Sequence, residues 1–140
     1  MRFAISGAVA AVLFAAAAQA DSPVAMDNPI MVSGIETVCT GIAETRDDPR
    51  WNAYPVRIEF ADKAAHLVIG ARVTLANAAG AKLSEFDCQG AVVLFKLAPG
   101  PYKVTAVIGP HDGGTATAAF SSPAKGQKKL TLRFFGPDTD

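Results

Sequence analysis

The sequence predicts an all-β chain, an antiparallel β-sandwich of seven to eight strands with one short helical turn near residues 48–53. Three observations predict it. Apolar and polar residues alternate with a period of two in short runs from Tyr54 onward, glycine, proline or asparagine punctuates those runs, and no long helical period competes with them.

Tyr54 to Phe60 alternates so that Val56, Ile58 and Phe60 share one face and Arg57 and Glu59 the other, the pattern of a half-buried strand. His66–Ile69 and Ala71–Ala76 follow, with Gly70 between them as a bend, and Asn77-Ala78-Ala79-Gly80 reverses the chain. Lys82–Cys88 alternates again, placing Phe86 and Cys88 inward and Glu85 and Asp87 outward. Val92–Leu97 is continuously apolar, as in a central strand covered on both sides, and Ala98-Pro99-Gly100-Pro101 ends it in a turn. Tyr102–Ile108 is the returning strand, Gly109–Gly114 a loop, Thr115–Ser121 a weaker Thr/Ala strand and Leu130–Phe134 a final alternation. One segment breaks the pattern. Asp48 suits a helix N-cap and Pro49 the first helical position, while Pro55 stops a helix at Tyr54, so residues 48–53 form a short lid or corner.

Met1–Ala20 carries one arginine, an apolar stretch and Ala18-Gln19-Ala20, the small-x-small pattern of a secretory signal peptide cleaved near Ala20. Its apolar run is too short for a bilayer-spanning helix. The expected organisation is a signal peptide over 1–20, a flexible arm over 21–34, the sandwich over 35–135 and a tail over 136–140, with the mature chain periplasmic or secreted and without a membrane span. Cleavage leaves 120 of the 140 residues, with 12 basic and 13 acidic side chains. Near-neutrality with no basic run beyond Lys128-Lys129 excludes the electrostatic footprint of a nucleic-acid binder.

The mature chain has two cysteines. An oxidising compartment favours a Cys39–Cys88 disulfide over a metal site, and no Cys-x-x-Cys arrangement suggests redox chemistry. In the chain-entropy description, cross-linking residues 49 positions apart contributes about 4 kcal/mol.

Cys39-Thr40-Gly41-Ile42, Asp48-Pro49-Arg50-Trp51, Tyr54–Phe60, Cys88-Gln89-Gly90 and Leu97-Ala98-Pro99-Gly100-Pro101-Tyr102-Lys103-Val104 together resemble small bacterial exported proteins of the carboxypeptidase regulatory-like type. The resemblance spans residues 35–135, and its sharpest element is Leu-x-Pro-Gly-x-Tyr-x-Val. It implies a prealbumin/Ig-like (transthyretin-like) sandwich. Where similar proteins often carry Gly-Pro-Trp after the second cysteine this chain has Gly90-Ala91-Val92, so no role of that pair carries over.

Candidate chemistry is sparse. His66, His111, Tyr54 and Tyr102 match the ligand types of intradiol dioxygenases, which share a prealbumin-type core, but those enzymes hold iron with a His-x-His pair, and here the histidines are 45 positions apart. The chain end also lacks the Tyr-Arg-Gly-Ser of hydroxyisourate hydrolase. Glu44, Asp47, Asp48 and Asp62 read as capping and turn residues beside Pro49 rather than an acid/base pair. Trp51 and Tyr54 are the possible ligand contacts, able to stack on a glycan or peptide if exposed, whereas a lone tryptophan more simply covers one end of a sandwich. The expectation is a non-catalytic envelope module, binding or structural, whose partner is an envelope protein or glycan, with no cofactor and no metal; the alternative is a small-ligand, carbohydrate or peptide binder using Trp51 and Tyr54.

Overall fold

The computed structural model describes residues 23–109 and 114–135. The signal segment 1–20, the tail 136–140 and His111 lie outside the described residues. Nine strands form two sheets: β1 (Ile30–Val32), β2 (Ile35–Thr40), β3 (Val56–Asp62), β4 (Ala71–Asn77), β5 (Lys82–Cys88), β6 (Val92–Phe95), β7 (Gly100–Ile108), β8 (Thr115–Ser122) and β9 (Lys128–Phe134). The first sheet has the order β1-β2-β6-β3-β9 and the second β5-β4-β7-β8.

The alternating runs place one face of each sheet in a shared core. Val56, Ile58 and Phe60 of β3 meet Val73 and Leu75 of β4, Phe86 of β5, Val93 and Phe95 of β6, and Val104 and Ala106 of β7, all buried. Every residue of β6 is buried, as its unbroken apolar run predicts for a strand flanked by β2 and β3 and covered on both faces. Cys39 in β2 and Cys88 at the end of β5 are joined in a disulfide that ties one sheet to the other, with Cα atoms 5.6 Å apart.

Four expectations are corrected. The strand count rises to nine because β1 and β2 lie upstream of the first clear alternation. Ladders are not all antiparallel: β9 runs parallel to β3, from Val56 opposite Lys128 to Asp62 opposite Phe134. His66–Ile69 is no strand, since only Leu67 bridges to Ala61 beyond a turn that the Asp62 carboxylate stabilises through the Ala64 and His66 N–H groups. The arm is built in over residues 23–32. Val24 N–H donates to the Asp87 carbonyl at 3.1 Å, Met26 bridges to Cys39 with their sulfurs 3.4 Å apart, and β1 pairs with β2. Short apolar residues without periodicity are enough to seal an edge beside the disulfide.

The break at residues 43–53 is two consecutive 3-10 turns, Ala43–Asp47 and Pro49–Ala53, one more than expected. Asp48 caps the second, accepting the Arg50 N–H at 2.9 Å, with Pro49 at its first position. These turns fold over the outer face of the first sheet, where Trp51 and Tyr54 pack on Val38, Val92 and Leu94 in a second small core. The outer face of the second sheet has no such cover among the described residues.

Candidate functional site

Trp51 and Tyr54 are brought together, with ring centroids 6.2 Å apart and nearly edge to face, but as packing groups. Their exposures are 1% and 5%. The Trp51 indole N–H donates to the Thr45 carbonyl at 2.7 Å, and the Arg50 guanidinium lies 4.5 Å over its ring. The Tyr54 hydroxyl donates to Glu36, and the Lys96 ammonium sits 5.3 Å from its ring centroid while also facing Glu36 at 3.6 Å. Burial and the Glu36 hydrogen bond push the Tyr54 phenol up to about 12, and the same hydrogen bond holds the Glu36 carboxyl below its ordinary value. The ring surfaces that a sugar would stack on are thus taken by the sheet and by two cations.

Beneath the lid is a polar cleft of about 210 Å³ lined by Asp47, Asp48, Asn52, Arg57, Glu59, Gln127 and Lys129. Arg57 is its buried anchor, its side chain 8% exposed, with Nε 3.1 Å from Glu59 and Nη2 donating to the Arg46 carbonyl at 3.0 Å. Asp48 is bound by the Arg50 side chain, which holds its carboxyl low. The carboxylates here are engaged in capping and in arginine pairing. His66 and Asp62 meet in the turn after β3, 3.5 Å apart, and the Tyr102 hydroxyl donates to the Ala98 carbonyl. Among the described residues no group of three or more His, Cys, Asp or Glu is gathered to hold a metal.

The outer face of the second sheet carries what the sequence reading passed over. Arg72 on β4 points between Glu85 and Asp87 of β5, at 3.0 and 2.9 Å, and Lys82 reaches Glu85 at 2.7 Å. The Lys82 and Arg72 hydrogen bonds hold the Glu85 carboxyl low, and Asp87 leads the effects that raise the Arg72 pKa. This charge ladder floors a shallow basin of about 550 Å³, rimmed by Pro23, Gly70, Gln89, Val107 and Gly109. Beside it, Thr74, Thr105 and Thr117 stand directly opposite one another on β4, β7 and β8, with the Thr105 and Thr117 hydroxyls 3.2 Å apart. The outward placement of Glu85 and Asp87 is readable from alternation, but their partner Arg72 is not, because it depends on the β4–β5 register.

No family model matches the chain, and no curated protein matches it.

Proposed function

We propose that this is an exported, non-catalytic β-sandwich module of the cell envelope, periplasmic or secreted after removal of residues 1–20, which binds or supports another envelope component through the outer face of its second sheet. The observation that carries the reading is the asymmetry of the sandwich. A lid, a second small core and a buried arginine cover one outer face. The other has no such cover among the described residues, with Val107 40% exposed opposite Arg72 and next to the threonine row. The Cys39–Cys88 bond suits an oxidising compartment, and no helix among the described residues is long and apolar enough to cross a membrane. The resemblance to carboxypeptidase regulatory-like proteins is in keeping with such a module, and the Pro99-Gly100 turn leading into β7 is its strongest element. The small-ligand alternative finds its support in the Arg72 basin rather than in Trp51 and Tyr54.

A photo-crosslinking side chain at Thr105 in the producing cell, with Asn52 on the lid as control, tests this. Discrete adducts from Thr105 and not from Asn52, on a chain whose N-terminus is Asp21, are expected. Adducts at neither position, together with turnover of any substrate in an activity screen, would overturn it.

A further inference from the structure

We infer that the free edge of β8 is a strand-addition site for an extended, acidic peptide segment of a partner; this deepens the binding-module reading and rests on it. The two long sides of the sandwich are unlike. On one, β5 lies against β1 and β2. There β1 is only three residues long, β5 carries Lys82, Glu85 and Asp87 and a register shift opposite Leu75/Ala76, the arm hydrogen-bonds to Asp87, and the disulfide closes the gap. These are the devices that keep an edge from pairing with another chain. On the other side β8 lies against β9, and among the described residues β8 has none of them. It is eight residues long, Thr-Ala-Thr-Ala-Ala-Phe-Ser-Ser, with no charge, no proline and an unshifted ladder to β7.

The unpaired groups can be assigned. The Ile108 N–H donates to the Gly114 carbonyl, which makes that pair hydrogen-bonded. Alternation along an antiparallel ladder then turns the N–H groups of Ala116, Ala118 and Phe120 toward β7 and those of Thr115, Thr117, Ala119 and Ser121 toward the open edge. Beside that edge is a groove of about 490 Å³ lined by Thr115–Ala118, Thr131–Arg133 and Phe135, the last 62% exposed. An added strand would direct alternate side chains into this groove, toward Phe135 and Arg133.

Charge selects the occupant. Arg133 is the one charged residue lining the groove, and residues 114–135 as a whole carry four basic and no acidic residue, although Lys129 among them faces Asp47, Asp48 and Glu59 in the cleft under the lid. A second copy would bring two such cationic segments together, whereas an acidic strand is attracted to one.

The test uses purified mature protein and a capped eight-residue peptide alternating Glu with Val and Thr, read by amide hydrogen exchange. Protection of the Thr115, Thr117, Ala119 and Ser121 amides is expected, with binding about tenfold or more weaker for the peptide with Lys in place of Glu. Ala119→Pro removes an edge-facing N–H without touching the Thr105–Thr117 hydroxyl contact and should abolish protection while Ala118 and Phe120 stay protected. Should that variant fail to fold, the same peptide N-methylated at alternate residues blocks pairing with the protein unchanged. No protection at about 1 mM peptide, or protection that survives N-methylation, overturns the inference, as does a concentration-dependent dimer whose formation protects the same four amides. Adducts at Thr105 in cells with no peptide effect would overturn the edge assignment and leave the module reading standing.

Discussion

Trp51 Nε1 donates to the Thr45 carbonyl at 2.7 Å, so the second helical turn of the lid is hydrogen-bonded to the first by the largest buried side chain in the protein. Gln127, ahead of β9, adds hydrogen bonds to the Trp51 and Tyr54 carbonyls at 2.9 Å. The lid is therefore clamped at its core, and its loss should propagate into the outer face of the first sheet.

Trp51→Ala removes both the indole packing on Val38, Val92 and Leu94 and the Thr45 bond, and should cost about 3–5 kcal/mol in urea unfolding followed by circular dichroism. Trp51 is the sole tryptophan, so its emission reports this site alone. It should be that of a buried indole and stay unchanged across a panel of glycans and peptides; a saturable shift would restore the stacking role.

The disulfide predicts a second measurement. Intact mature protein should be lighter by two hydrogens without reductant, and Cys39→Ala with Cys88→Ala should lose about 2–5 kcal/mol of stability. The loss should concentrate on the β2 and β5 side, where Met26 rests on the Cys39 sulfur, so hydrogen exchange should rise first in the arm.

Local pattern made much of this legible. The inward set Val56, Ile58 and Phe60, the doubly covered β6, the inward Cys88 and the Asp48 cap all follow from a residue's own neighbours. What escaped depends on elements distant in sequence. Arg57 falls on the outward face, as its alternation predicts, yet is buried because the lid covers that face. The parallel β3–β9 ladder, the Arg72 ladder and the free edge of β8 are matters of register and sheet order, which no single run encodes.

Gly90 is another such position. A Cβ there would lie 2.0 Å from the Thr40 carbonyl oxygen, a backbone atom that cannot swing aside, and its N–H points at the Cys39 sulfur. Gly90→Ala should cost about 3 kcal/mol or more, by thermal or urea unfolding. Gly34→Ala is the contrast, with φ +83° in open space, and should cost only about 1–2 kcal/mol.

The Glu36–Tyr54 pair predicts stability losses at both ends of the pH scale. Glu36 has a folded pKa below its ordinary 4.5, so its contribution is present above that value and is lost as pH falls through the folded pKa. Tyr54 has a folded pKa raised from 10.0 to about 12. Above pH 10 the unfolded phenol ionises while the folded one keeps its proton, so the unfolded state is favoured and the Tyr54 contribution declines from 10 toward 12. Alkaline difference absorbance should therefore show a phenol titrating near 12 that Tyr54→Phe eliminates. The same variant should flatten the fall in stability between pH 10 and 12 and leave Glu36 with Lys96 as its remaining partner. A Tyr54 that titrated near 10 in the folded protein would mean that the lid opens in solution and that its ring is free.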